Sequence, residues 1–200
     1  QVQSFNGDNV SQGQVNAEVT GGYGGNHCFY IDRVRPVVSS YDDAYVKSGV
    51  TVTVTGSGFA TPANATAQVT VGGQSYNIVG VANDNTLTFT TGAGNFKDVV
   101  IITDKAGNKN TSGPQLTVDN LAPVVGSVNK NSIKNGSTAI ITGSGFQTSP
   151  ASPIASVKVN NATTGIGGFS VNSDTQITLT ATTGDVAHSV IKITDEAGNS

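Results

Sequence analysis

The clearest pattern in the chain is a strict alternation of apolar and polar residues over short stretches. Residues 50–55 read Val-Thr-Val-Thr-Val-Thr, a period of two that places valines on one face of a β-strand and threonines on the other. No segment shows the period of an amphipathic helix. Glycine, asparagine and aspartate cluster between the apolar stretches, where turns require positive φ angles or side-chain hydrogen bonds to the backbone. The pattern predicts an all-β fold.

The chain contains this pattern twice. The stretch Thr55–Phe59 (Thr-Gly-Ser-Gly-Phe) returns as Thr142–Phe146, an offset of 146 − 59 = 87 residues. The turn sequence at 103–108 (Thr-Asp-Lys-Ala-Gly-Asn) returns at 194–199 with one change, an offset of 199 − 108 = 91. A unit of about 85–90 residues suits a compact β-sandwich and exceeds most solenoid repeats.

The two repeats agree on which residues point inward. Thr70 in the first repeat is Lys158 in the second, and Ile101 is Lys192, whereas the positions on either side stay apolar. Because lysine is rarely buried without a partner, these positions face outward and their neighbours face the core. With about seven short strands in each unit, we predict tandem immunoglobulin-like β-sandwiches.

The motifs resemble the IPT/TIG group of immunoglobulin-like domains. The resemblance rests on Pro36 and on residues 47–49, 52–59, 69–73, 85–89 and 99–104. Residues 118–123 and the two Asp-x-Ala-Gly-Asn turns are also similar to the repeats of bacterial immunoglobulin-like surface adhesins. The likeness covers residues 36–200 and implies a fold rather than an activity, because this sandwich serves stalks, adhesins and enzyme appendages.

From the repeat we predict three parts of the chain. Residues 1–35 are the end of a preceding module or an N-terminal extension strand, 36–120 are the first domain, and 121–200 are the second. The second domain is predicted to lack its last strand, since no counterpart of Gln115–Val118 follows the final turn. The chain also begins at Gln1 without methionine, which indicates processing or excision from a longer protein.

Composition narrows the classes of function. Charged residues make up 12% of the 200 residues, the net charge is −3, and no basic run provides the phosphate contacts of a nucleic-acid partner. No apolar run approaches the roughly 18–20 residues that cross a bilayer. With two histidines, one cysteine and no nucleophile elbow or phosphate loop, we expect no enzyme. A lone Cys28 and threonine-rich, weakly charged strands fit a secreted microbial surface protein.

Calcium at the repeat junctions is the cofactor that the sequence suggests. Asp119 lies in the linker between the repeats, and Asp104 with Asn108 occupies a turn that can reach the same end of the sandwich as Asp119. Asp32 is the equivalent of Asp119 at the front junction. Carboxylate and carbonyl oxygens suit a hard cation. In the resembled adhesins, acidic residues at such positions bind calcium and stiffen the rod. The alternative is that Asp104 and Asp195 cap tight turns by bonding their own backbone.

The open second domain has two explanations: either the sequence is a part of a longer array of repeats, or subunits exchange strands. Unpaired backbone groups and exposed core invite another chain to add a strand. In a head-to-tail filament, an apolar segment near the start of one subunit would complete the last domain of its neighbour. That candidate assembly strand consists of Cys28, Phe29, Tyr30 and Ile31.

Together these features predict an extracellular structural or adhesive segment of a microbial cell-surface protein. It would act as a stalk or as a subunit of a filament or surface layer. Its expected partners are other copies or neighbouring modules of the same protein, and surface glycans. The alternative is that these are accessory domains, carbohydrate-binding or spacer, of a secreted polysaccharide-active enzyme. Tryptophan is absent, which weighs against an aromatic platform for sugar.

Overall fold

The fold comes from a computed structural model that describes residues 13–17, 27–60, 66–147, 153–160, 163, 165–182 and 190–200. Every regular element in these ranges is a β-strand, so the all-β prediction is confirmed. None of the residues described belongs to a helix long and apolar enough to span a membrane.

The described ranges form eighteen strands, numbered here in chain order. The first nine are β1 Gly13–Ala17, β2 His27–Ile31, β3 Val37–Tyr41, β4 Tyr45–Val46, β5 Thr51–Ser57, β6 Thr66–Val71, β7 Gln74–Tyr76, β8 Ile78–Asn83 and β9 Thr86–Thr90. The other nine are β10 Phe96–Val99, β11 Ile101–Asp104, β12 Gln115–Val118, β13 Val124–Val128, β14 Thr138–Ser144, β15 Ile154–Val159, β16 Ile166–Ser173, β17 Gln176–Ala181 and β18 Ile191–Asp195.

By spatial proximity the chain divides into two compact units. The first comprises Gln1–Asp42, Thr51–Thr90 and Val99–Pro114. The second comprises Asp43–Val50, Thr91–Asp98 and Gln115–Ser200. The domain boundaries predicted from the repeat, 1–35, 36–120 and 121–200, stay a prediction, as does the number of strands in each domain.

The first unit contains a four-stranded sheet, in the order β3-β5-β9-β8, and a three-stranded sheet, in the order β11-β6-β7. Val52 and Val54 of β5 pair with Phe89 and Leu87 of β9, and all four side chains are fully buried. The second sheet adds buried residues to the core, among them Ile102. The inward register predicted from the valine-threonine alternation is confirmed.

The second unit contains three sheets, in the orders β10-β12-β4, β13-β14-β17-β16 and β15-β18. Ile141 of β14 lies opposite Ile177 of β17, and the strand pair β15-β18 supplies Val157 and Ile193 to the same core. Phe146, which follows β14, closes this core. The all-β architecture and its several sheets are consistent with immunoglobulin-like β-sandwiches.

Strands β1 and β2 pair as an antiparallel hairpin, with Gly13 opposite Ile31 and Ala17 opposite His27. The predicted assembly strand, Cys28 to Ile31, therefore forms most of β2. Its role as a donor to another subunit stays a prediction.

The Thr-Gly-Ser-Gly-Phe motif is explained by a close approach of two backbones. A Cβ atom on Gly56 would overlap the carbonyl oxygen of Val37 on the leading strand β3. Gly58 has a φ angle of +77°, in the left-handed region that favours glycine, and it lets the chain turn so that Phe59 is fully buried. The second repeat has the same geometry at Gly143, Val124, Gly145 and Phe146.

Candidate functional site

The turn after β11 is closed by its own aspartate. The Asp104 carboxylate, 3% exposed, accepts a hydrogen bond at Oδ1 from the Asn108 backbone N–H at 2.8 Å. Its Oδ2 accepts another from Asn108 Nδ2 at 2.9 Å. Gly107 has a φ angle of +88° and donates its N–H to the Asp104 carbonyl at 3.1 Å. Asp104 thus caps a tight turn.

The same asparagine amide reaches the linker in front of the domain. Asn108 Nδ2 also donates to the Asp32 carbonyl oxygen at 3.2 Å. The Asp32 carboxylate in turn accepts from the Val34 backbone N–H at 2.8 Å. We call Asp32, Asp104 and Asn108 the first clasp, because one amide joins the turn to the linker.

The second repeat builds the same arrangement from Asp119, Asp195 and Asn199, which we call the second clasp. Asp195 Oδ1 accepts from the Asn199 backbone N–H at 2.8 Å, and Oδ2 accepts from Asn199 Nδ2 at 3.0 Å. Asn199 Nδ2 also donates to the Asp119 carbonyl at 3.0 Å. The Asp119 carboxylate accepts from the Leu121 N–H at 2.9 Å, as Asp32 accepts from Val34.

The second clasp is more deeply buried than the first. Asp119, Asp195 and Asn199 are 0%, 2% and 6% exposed, whereas Asp32 and Asn108 are half-buried. Buried charges are tolerated only when they are paired or hydrogen-bonded, and N–H donors at 2.8–3.0 Å meet that need for Asp195. In the part of the chain that the structure describes, no group of three or more His, Cys, Asp and Glu side chains could hold a metal ion.

The linker between the repeats is held by further hydrogen bonds within the second compact unit. The Asp119 N–H donates to the Val46 carbonyl at 2.9 Å. Asn120 Oδ1 accepts from the Ser48 N–H at 2.9 Å, and its Nδ2 donates to the Gly94 carbonyl at 2.7 Å. Residues 119 and 120 are therefore bound by groups from both earlier and later parts of the chain.

The predicted calcium residues thus fall into two sets. Asp104, Asn108 and Asp32 come together in the first clasp, while Asp119 joins Asp195 and Asn199 in the second. Asn199 was missing from the predicted site, although the 87- and 91-residue offsets mark it as the counterpart of Asn108. Calcium binding by these residues stays a prediction.

Comparison with known proteins identifies the first of the two repeats. The family model of the IPT/TIG domain matches residues 36–118. Residues 36–118 are an IPT/TIG domain. The resemblance inferred from the sequence motifs is confirmed over this range. No curated protein sequence matches the chain significantly.

Several solved structures resemble the chain as a whole. The surface glycan-binding protein SGBP-B of the mixed-linkage glucan utilization locus of Bacteroides ovatus, in complex with a mixed-linkage heptasaccharide, is 20% identical, with 86% of this chain and 43% of that chain covered and a TM-score of 0.37. PbSGBP-B of Prevotella bryantii is 16% identical, with 82% of this chain and 39% of that chain covered and a TM-score of 0.32. The plexin A4 extracellular region is 15% identical, with 81% of this chain and 17% of that chain covered and a TM-score of 0.36.

The chain thus spans less than half the length of each of these proteins. At TM-scores below 0.5, these similarities do not carry function from those proteins to this chain.

The carboxylates of Asp42 and Asp43 in the IPT/TIG domain also accept hydrogen bonds from the backbone. Asp42 Oδ1 accepts from the Thr53 N–H at 2.9 Å, and Asp43 Oδ1 accepts from the Tyr45 N–H at 2.9 Å. In the second repeat Asn129 replaces Asp42, and its Oδ1 accepts from the Ile140 N–H at 2.8 Å. An oxygen acceptor is retained at this position although the charge is not.

Aromatic side chains in the part of the structure described after residue 31 are buried or half-buried. They are Tyr41, Tyr45, Phe59, Tyr76, Phe89, Phe96, Phe146 and Phe169. In the IPT/TIG domain, the Tyr41 hydroxyl donates to the Pro114 carbonyl at 2.7 Å and accepts from the Val100 N–H at 3.4 Å. Burial raises the pKa of Tyr41 to about 12, against a smaller lowering by the Val100 hydrogen bond.

Proposed function

We propose that this chain is a non-catalytic spacer of an extracellular surface protein, built from tandem immunoglobulin-like repeats that each hold their own linker in place. One observation carries the proposal: both repeats bind the linker carbonyl with an asparagine amide, at 3.2 Å in the first clasp and 3.0 Å in the second. A spacer must keep a defined path between its parts, and a linker bonded to its own domain cannot act as a free hinge.

The extracellular location is supported by composition. Only 12% of the residues are charged, and there is a single cysteine. The IPT/TIG domain agrees with a surface role, since such sandwiches serve as structural modules on many proteins.

The alternative stated above is a set of accessory domains that either bind carbohydrate or act as a spacer. Of these two roles, we prefer the spacer. The Bacteroides ovatus and Prevotella bryantii proteins are surface glycan-binding proteins. Binding sites for small ligands are usually lined by aromatic and apolar side chains. Among the residues after 31 that the structure describes, no tyrosine or phenylalanine is exposed. We therefore assign a spacer role to this chain. In a surface glycan-binding protein that contains such repeats, we assign glycan recognition to other domains.

Backbone dynamics of the linker test the proposal. In the wild-type chain we expect Leu121 to have an NMR order parameter of about 0.85, the value of rigid backbone. The double variant N120A/N199A removes both asparagine side chains that hold the linker, and the order parameter should fall below about 0.6. The control N135A changes an exposed turn asparagine and should leave Leu121 unchanged. A wild-type linker as mobile as that of the double variant would exclude the spacer role.

A glycan-binding measurement separates the spacer function from glycan binding. Electrophoresis of the chain in gels containing mixed-linkage glucan or xyloglucan should show no retardation if these repeats are a spacer. Clear retardation would instead favour glycan binding by the chain itself.

A further inference from the structure

We infer that the asparagine amide of each clasp does the work of a divalent cation, so that linker attachment is independent of calcium. This inference goes beyond the proposed spacer role and does not depend on it. The resemblance to surface adhesins implies that calcium holds the linker at these junctions. In this chain an asparagine amide holds the linker instead.

The two oxygens that a junction cation would bridge are bridged here by one nitrogen. In the second clasp, Asn199 Nδ2 lies 3.0 Å from Asp195 Oδ2 and 3.0 Å from the Asp119 carbonyl oxygen. A side-chain amide nitrogen carries two hydrogens, so each oxygen receives one N–H. In the first clasp, Asn108 Nδ2 lies 2.9 Å from Asp104 Oδ2 and 3.2 Å from the Asp32 carbonyl oxygen.

This arrangement does not fit calcium. Calcium takes six to eight oxygen ligands at about 2.3–2.6 Å. Each clasp instead places a hydrogen-bearing nitrogen between the carboxylate and the carbonyl, where the hydrogens would repel a cation. The other carboxylate oxygen of Asp195 also accepts a backbone N–H, at 2.8 Å. Hydrogen-bond donors thus provide the positive charge density that a metal would otherwise supply.

Replacing the amide by a carboxylate should reverse this property. Asn199→Asp exchanges the N–H donors for oxygen and puts a second carboxylate beside Asp195, which is 2% exposed. Like charges at short distance in a buried site repel each other, and a cation would relieve that repulsion. The variant clasp would then offer two carboxylates and the Asp119 carbonyl, a set of oxygens that suits calcium.

Thermal unfolding with EDTA or with calcium chloride tests the inference. The variants are N199D and N108D, and the added charge is better tolerated in N108D because Asn108 is half-buried. The control N135D adds the same charge at an exposed turn. We expect the wild-type Tm to be equal in EDTA and in calcium. Both clasp variants should melt below the wild type in EDTA and regain about 4 °C or more in calcium, because a ligand bound only by the folded state raises stability.

Three results would overturn the inference. A wild-type Tm that falls in EDTA would mean that a cation already contributes to the clasps. Clasp variants that melt equally in EDTA and calcium would mean that the amide does not take the position of a cation. An equal response of N135D would mean that calcium acts through net charge alone.

Discussion

Gly56 and Gly143 occupy equivalent positions where the leading strand of each repeat crosses close to the following one. Because an added Cβ on Gly56 would overlap the Val37 carbonyl oxygen, the backbone would have to shift. We expect Gly56→Ala to lower the free energy of unfolding by about 1–3 kcal/mol, measured as a lower midpoint of urea unfolding with an unchanged slope.

Gly80→Ala is the matched control for this substitution. Gly80 lies in the same sheet, but its added Cβ would meet only the Thr88 hydroxyl, at an ordinary contact distance of 3.6 Å. Its midpoint should stay close to that of the wild type. Equal urea midpoints for Gly56→Ala and Gly80→Ala would show that the glycine at position 56 is not required by the close approach of the two backbones.

Tyr41 makes the stability of the first unit depend on alkaline pH. The pKa of its phenol is raised from the ordinary 10.0 to about 12 in the folded chain, chiefly by burial. Between these two values the unfolded state loses the proton first, so that stability is fully present below pH 10 and is lost as the pH rises towards about 12. Urea midpoints across this range should therefore fall with pH.

Burial also raises the pKa of Tyr76 in this unit, so Tyr41→Phe removes one of two contributing groups and should make that decline less steep. It also removes the hydrogen bond to Pro114 and lowers stability at neutral pH. Tyr45→Phe alters another half-buried tyrosine and should retain the wild-type decline. If Tyr41→Phe keeps the same dependence on pH, the loss of stability has another origin.

At the scale of the element, β5 has one face in the core and one towards solvent. Val54 is fully buried, whereas the adjacent Thr55 is exposed and lies opposite Thr86 of β9. Val54→Thr keeps the shape but buries a hydroxyl, which should cost about 1–3 kcal/mol of unfolding free energy. Thr55→Val makes the opposite change and should stay within about 0.5 kcal/mol of the wild type. Urea unfolding of both variants measures the difference, and similar costs would contradict the register.

The outward-facing lysines of β15 and β18 show how much the alternation of residues can predict about a strand. Lys192 is exposed and Lys158 is half-buried, which agrees with their predicted outward direction. The alternation could not show that these lysines lie directly opposite each other on β15 and β18. Like charges facing each other across strands are unfavourable, and the sequence of either strand alone contains no sign of the pairing.

At the scale of the whole molecule, the spacer proposal and the donor-strand hypothesis predict different behaviour. Removing residues 1–31 deletes the predicted assembly strand, Cys28 to Ile31, but keeps Asp32 and the first clasp. If the chain is a spacer, sedimentation velocity should find monomers for both the full and the shortened chain. Assembly of the full chain that is lost on shortening would support strand exchange instead.

Much of the molecule could be predicted from its sequence. The inward valines, the repeat and the IPT/TIG domain were all readable, because strand periodicity and turn residues are local properties. The candidate site was only partly readable. The sequence predicts that Asp104 and Asn108 lie near Asp119, with Asp32 at a separate front junction, and that their oxygens bind a metal. The contact observed is between the Asn108 amide and the carbonyl of Asp32.

The strands and their buried faces follow from the sequence alone, since they depend on residues close together in the chain, and the duplication is seen by comparing its two halves. How turn and linker meet depends on the tertiary fold. The carbonyl oxygens of Asp32 and Asp119 belong to the backbone that every residue has, so no residue type marks them as partners. Closure of the sheets brings each one within hydrogen-bonding distance of an amide 76 or 80 residues away.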